Sequence, residues 1–172
     1  TTSGNISAGG AFGYGIQVGT LNNTSSNIAI TTAAGKTIQA DKIGIWANNS
    51  GTGTGNISIT NNSAISAGDY GIIAKNASKG DTTVQNSAVV TSSTSVGIGA
   101  TNTNTANAGV VSITSSGHVS GVTGGLVANN AGTGDVQVNS TANATASGST
   151  GRGIEAVQSG SSTGSVMVST AA

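Results

Sequence analysis

The stretch Tyr14-Gly15-Ile16-Gln17-Val18 constrains this chain more than any other, because it returns five times. The copies are Ile43-Gly44-Ile45-Trp46-Ala47, Tyr70-Gly71-Ile72-Ile73-Ala74, Val96-Gly97-Ile98-Gly99-Ala100, Gly124-Gly125-Leu126-Val127-Ala128 and Arg152-Gly153-Ile154-Glu155-Ala156. The apolar residue after the glycine recurs at 16, 45, 72, 98, 126 and 154, in steps of 29, 27, 26, 28 and 28. Self-similarity at such a period is the signature of a solenoid, in which each unit buries its apolar face against its neighbours.

Each repeat holds two further short segments. The first carries Ile28-Ala29-Ile30, Ile57-Ser58-Ile59, Thr82-Thr83-Val84, Val111-Ser112-Ile113, Val136-Gln137-Val138 and Val166-Met167-Val168. The outer positions are β-branched and almost all apolar, and the middle one is usually small or polar. That is the period-2 pattern of a strand with one buried face. The second segment carries Ile6-Ser7-Ala8, Ile38-Gln39-Ala40, Ile65-Ser66-Ala67, Val90-Thr91-Ser92, Val119-Ser120-Gly121 and Ala144-Thr145-Ala146. The glycine-led stretch is the third.

Three strands of this length predict one rung of a three-sided coil, each side pairing in parallel with the same side of the next rung at roughly 4.8 Å. Ile28, Ile57, Thr82, Val111, Val136 and Val166 then stack in one inward column, and Ile45, Ile72, Ile98, Leu126 and Ile154 in another. Ala47, Ala74, Ala100, Ala128 and Ala156 line a narrower part of the interior. An antiparallel sandwich is the competing reading, but it demands no fixed period of this length. The fold class expected is therefore an all-β parallel β-helix forming a single domain over residues 1–172. The spacing suggests about five full rungs with partial rungs at the ends, as a piece of a longer coil or a unit that stacks head to tail.

Polar residues recur at the corners. Asn49, Asn76, Asn102, Asn130 and Gln158 follow the third-segment alanines, with Thr20 in the first copy. This series is expected to form a structural amide ladder along the stack. A second series is Thr32, Asn61, Asn86, Ser115, Ser140 and Thr170. The turns Gly51-Thr52-Gly53-Thr54-Gly55 and Gly132-Thr133-Gly134 are read as glycine supplying positive φ.

The run Gly-Asn-Ile-Ser-Ile-Thr, then Ile-Ser-Ala, then Tyr-Gly-Ile-Ile-Ala-Lys-Asn spans Gly55 to Asn76. It resembles the passenger repeats of bacterial autotransporters and related adhesin-like exported proteins. The resemblance extends from Gly4 to Ser169. It implies a right-handed parallel β-helix, export across both membranes and display at the cell surface. The translocating β-barrel of that family, with its amphipathic strands of roughly ten residues, has no counterpart in these residues.

Composition narrows the function. Charged residues are 6% and the formal net charge is zero, which argues against nucleic acid and anionic membrane surfaces as partners. Aromatics are 2%, too few for a base-stacking platform. No apolar run approaches the roughly 18 residues of a membrane span. With no cysteine there are no disulfides or thiolate metal sites.

Candidate chemistry is sparse. His118 is the single histidine, and it reads as a surface residue at a strand edge. The acids are Asp41, Asp69, Asp81, Asp135 and Glu155. Asp41 and Asp69 fall at about the same corner of adjacent rungs, with Lys42 beside them, the nearest thing to a carboxylate cluster. Asp81 and Asp135 read as turn residues two rungs apart, with Gly109 between. No calcium-repeat or phosphate-loop pattern is present. The expectation is no enzyme, no metal and no cofactor.

Two readings remain. The first is a structural or interaction module of a surface protein, a stalk or adhesin. Its partners would be other copies of itself, adjoining rungs, or surface glycans or proteins. The second is a polysaccharide-active enzyme on the same scaffold, which would need several acids on one face. Ice binding needs regular threonines on one face, and Ala29, Ser58, Thr83, Ser112, Gln137 and Met167 do not keep that register. On the third strand's outward side, Trp46 and Ile73 should meet in a small apolar contact patch.

Overall fold

A computed structural model of the chain describes residues 4–21, 25–160 and 163–171. Among the described residues, eighteen strands follow one another in six turns of three. Turn one holds β1 (Ile6–Ala8), β2 (Tyr14–Thr20) and β3 (Ile28–Thr31), and turn two β4 (Thr37–Ala40), β5 (Ile43–Asn49) and β6 (Ile57–Asn61). Turn three holds β7 (Ala64–Ala67), β8 (Tyr70–Asn76) and β9 (Thr82–Asn86), and turn four β10 (Val90–Ser92), β11 (Val96–Asn102) and β12 (Val111–Ser115). Turn five holds β13 (Val119–Gly121), β14 (Gly124–Asn130) and β15 (Val136–Ser140), and turn six β16 (Ala144–Ala146), β17 (Arg152–Gln158) and β18 (Val166–Thr170).

Every third strand pairs in parallel, giving three six-stranded sheets and a β-solenoid. Sheet I (β3 to β18) contains the first segments, sheet II (β1 to β16) the second and sheet III (β2 to β17) the third. Counted from the first segment, the strands β3 to β17 make five full rungs, with β1, β2 and β18 as partial ends. A turn counted from the second segment, where β1 lies, is complete six times over.

The register is the one the repeats dictate. Ile28 pairs with Ile57, Ile57 with Thr82, Thr82 with Val111, Val111 with Val136 and Val136 with Val166. Strand side chains alternate between faces, so one apolar residue in two enters the coil. Ile45, Ile72, Ile98 and Leu126 are fully buried, as are Ala47, Ala74, Ala100 and Ala128. Turn six ends the described stack, and there Val166 is 46% exposed despite its inward position. Thr82 is the polar member of the inward column, and its hydroxyl is satisfied by donating to Asn102 Oδ1.

The glycine heading each third segment answers a steric demand. A Cβ on Gly15 would stand 2.5 Å from Ile38 Cγ2, and one on Gly97 2.5 Å from Val119 Cγ1. From Gly15 to Gly97 the inward β-branched residues of sheet II fill the corner where sheet III begins, and at Gly125 and Gly153 backbone does, Gly153 O at 2.5 Å and Ala144 O at 2.6 Å, so only a hydrogen fits. The turn glycines also differ from expectation. Positive φ occurs at Gly10 and Gly35 among the described residues. At Gly55, Gly132 and Gly134 the need is instead close stacking. A Cβ on Gly55 would collide with Ser26 O, one on Gly132 with Asn107 O, and one on Gly134 with Gly109 O.

Candidate functional site

The polar side chains fall into columns, and the columns bind turn to turn. Asn49, Asn76, Asn102 and Asn130 are fully buried at the corner after sheet III. Their bonding differs from a ladder of amides. Asn76 Nδ2 donates to Gly55 O of the preceding turn (3.1 Å) and to Gly80 O of its own (3.3 Å). Asn130 Nδ2 does the same with Gly109 O (3.0 Å) and Gly134 O (2.9 Å). Their Oδ1 atoms accept from the backbone two residues on, Ser78 N at 3.0 Å and Gly132 N at 2.9 Å. Asn49, Asn76 and Asn130 thus each close their own turn and clamp the one before it. Asn102 Nδ2 instead donates to Gly109 O of its own turn (3.5 Å), and Asn107 Nδ2 makes the bond to Gly80 O of the turn before (3.0 Å). Among the described residues, the direct side-chain bond within this column is Thr20 Oγ1 donating to Asn49 Oδ1 (2.7 Å). Gln158 Nε2 clamps Gly132 O and Gly134 O at 2.9 Å each, but its Oε1 is buried without a partner.

A true side-chain ladder stands at the corner after sheet I. Thr32 Oγ1 donates to Asn61 Oδ1 (2.8 Å), Asn61 Nδ2 to Asn86 Oδ1 (2.8 Å), and Asn86 Nδ2 to Ser115 Oγ (3.0 Å). The Ser115 hydroxyl then donates to Gly117 O at 2.9 Å. Asn61→Ala removes the middle of this chain and strands buried groups on both sides. It is expected to cost about 2 kcal/mol, read as a lower melting temperature than exposed Gln85→Ala gives.

The acids are dispersed and each is engaged. Asp41 Oδ2 accepts from Gly10 N (2.7 Å) and Asp69 Oδ1 from Thr94 Oγ1 (3.2 Å). The two are offset by one position. Ala40 pairs with Ala67, so Gly68 lies over Asp41 and Asp69 over Lys42. Asp81 Oδ1 accepts from Val110 N (2.8 Å) and Asp135 Oδ1 from Ser165 N (2.7 Å), as Asn27 and Asn56 Oδ1 accept from Asn56 N and Asp81 N. The residue between Asp81 and Asp135 in this column is therefore Val110, and Gly109 belongs to the glycine stack beside it. Glu155 pairs with Arg152 Nη1 at 3.0 Å on the outside of β17. His118 is half-buried in the corner before β13, where its carbonyl accepts from Val90 N. Among the described residues no three metal-ligating side chains cluster.

The outer face of sheet III has a different character. Gln17, Trp46, Ile73, Gly99, Val127 and Glu155 form one outward column, in that order along the coil. Trp46 and Ile73 do meet in register, and both are half-buried. Tyr14 packs its ring against Trp46 edge-on, with centroids 5.2 Å apart. Around Gly99 lies an open depression of about 390 Å³, bordered by Tyr70, Ile73, Val96, Val127, Lys75 and Thr101. The nearest atom to a Cβ built on Gly99 is 3.9 Å away, so this glycine leaves room that packing does not require. Its repeat position is otherwise filled by larger residues, which is the signal in the sequence that could have revealed the notch.

No protein-family model, curated protein or solved structure matches the chain.

Proposed function

We propose that this chain is a structural and interaction module of an exported bacterial surface protein or fibre, a stalk or adhesin. The observation that carries the reading is where its polar groups go. Buried amides and hydroxyls hold successive turns to one another, and the carboxylates serve separate corners and strands instead of converging on one face. Hydrolysis or elimination on a polysaccharide needs acid and base groups gathered around one bond. The polar columns and buried apolar columns together favour a stiff rod with hydroxyl- and amide-rich sides.

Partners of such a rod are adjoining turns, other copies of the chain, and surface glycans or proteins. The edges of β1, β2 and β3 face one way along the axis and those of β16, β17 and β18 the other. A further turn in the same register would continue all three sheets at either end, whether from a longer chain or a second copy. Location is the direct test. Antibody raised against the chain should label intact cells of the organism that makes it, and protease added outside should remove the label. Labelling that appears only after lysis would overturn the surface reading.

A further inference from the structure

We propose that the outer face of sheet III pairs with the same face of a second copy about a two-fold axis. The axis runs parallel to the strands, between β8 and β11. This inference rests on the reading of the chain as an interaction module and names the surface and the partner. The operation lays turn three of one copy over turn four of the other, two over five, and one over six. Strand positions stay aligned, so each outward column meets its own reverse.

Under that reversal the face is complementary to itself. In the central column, Ile73 comes over the Gly99 notch, Trp46 over Val127 and Gln17 over Glu155. Large side chains occupy turns two and three, and small ones turns four and five. In the column beside it Asn48 meets Asn129, amide to amide, and Lys75 meets Thr101. At the strand starts Tyr70 comes over Val96, and Tyr14 over Arg152, whose guanidinium is paired with Glu155 of its own chain. Lysine, arginine and glutamate each oppose a neutral residue, so no like charges meet.

The register is selective. Sliding the pair one turn in one direction puts Gly99 on Gly99 and Trp46 on Glu155. Sliding it one turn in the other puts Lys75 on Lys75 and Ile73 on Ile73. On sheet I the outward column Ala29, Ser58, Thr83, Ser112, Gln137 and Met167 also sets small against large toward its ends, but at the axis Thr83 meets Ser112, with no apolar knob over a notch. On sheet II the outward column is Ser7, Gln39, Ser66, Thr91, Ser120 and Thr145, polar throughout. The strands of sheet III are also the long ones, at seven residues each. With six strands this face covers roughly 650 Å² per copy at ordinary strand dimensions. That approaches the ~800 Å² per partner of a standard interface and fits a pair of modest affinity.

The test is sedimentation of the whole chain over a concentration series, with the emission of its single tryptophan followed in parallel. The expected result is a species that stops at two copies, with Trp46 emission moving to shorter wavelength as it forms. Gly99→Trp fills the notch from an open position and should weaken pairing about tenfold or more. Ile73→Ser, which removes the knob without adding bulk, should weaken it as well; melting curves verify that both variants fold. Trp46→Val and Val127→Trp should each weaken the pair, and the double variant should restore it. These residues lie three turns apart within one chain, so their coupling reports contact between copies. A chain that stays monomeric throughout, or a dimer indifferent to Gly99→Trp and Ile73→Ser, would overturn the proposal. Species that keep growing past two copies, unchanged by these variants, would place the contact at the coil ends and leave the module reading standing without this face.

Discussion

Ile72→Asp is expected to abolish cooperative folding of the middle turns. Ile72 is fully buried, with Ile45 below it and Ile98 above it in the same inward column. Its burial contributes about 2–3 kcal/mol by transfer alone. An aspartate there would lose that and place a carboxylate among Ile, Val and Ala side chains, with no donor or cation in the column to meet it. Burying an unpartnered charge adds several kcal/mol, so the combined cost exceeds about 4 kcal/mol. Domains of this size are stable by only about 5–15 kcal/mol. Circular dichroism melts should show the variant unfolded or melting far below the parent. Lys75→Asp, three residues on and exposed, should melt close to it. Equal melting of Ile72→Asp and the parent would mean that the third segment does not face inward.

Gly71→Ala is expected to destabilise nearly as much, though it adds one methyl group. That methyl would collide with Val90 Cγ1 of sheet II and with Gly97 O of the following turn. The valine can yield by changing rotamer, but the carbonyl is held in the ladder between β8 and β11 and cannot. Overpacking of this kind costs about 1–3 kcal/mol, and more where backbone must move. The rescue pattern separates the two collisions. Adding Val90→Ala should recover only part of the loss in melting temperature, because the clash with Gly97 O persists. Full recovery would show that the side chain alone sets the requirement.

The strands were legible because burial imposes period 2 on them. Ile57-Ser58-Ile59 could be placed from its pattern alone, and its pairing with Ile28-Ala29-Ile30 and Thr82-Thr83-Val84 followed from the repeat. Bonding at the corners was less legible. The amide column was visible at Asn49, Asn76, Asn102 and Asn130, but a residue type does not say which atom it reaches. Backbone carbonyls brought close by Gly55, Gly80, Gly109 and Gly134 turned out to be the acceptors. Turn lengths vary between repeats, so a count in fixed steps from Asp81 reaches Gly109 where Val110 holds that place. The contact patch at Trp46 and Ile73 was visible as an adjacency. Its complement at Gly99 and Val127 was not, since a match between two halves of one face exists only once a symmetry axis is drawn.

The hydrogen bonds of this coil have a reach of one turn. Between turns, ladder, clamp and sheet bonds alike join residues some 20 to 32 apart in sequence, and each inner turn is held by its two neighbours. A β-barrel must close on itself, so its strand number is fixed by geometry before any side chain is chosen. Nothing in this architecture closes. A turn added or removed in phase leaves the cross-section, the inward columns and the corner clamps of the other turns as they were. Length is therefore a free quantity here, open to change in whole-repeat steps by duplication or deletion in the gene. The side-face match behaves oppositely, because its two-fold axis sits between one particular pair of turns. Elongation would leave the rod intact while moving the centre of that match away from the middle.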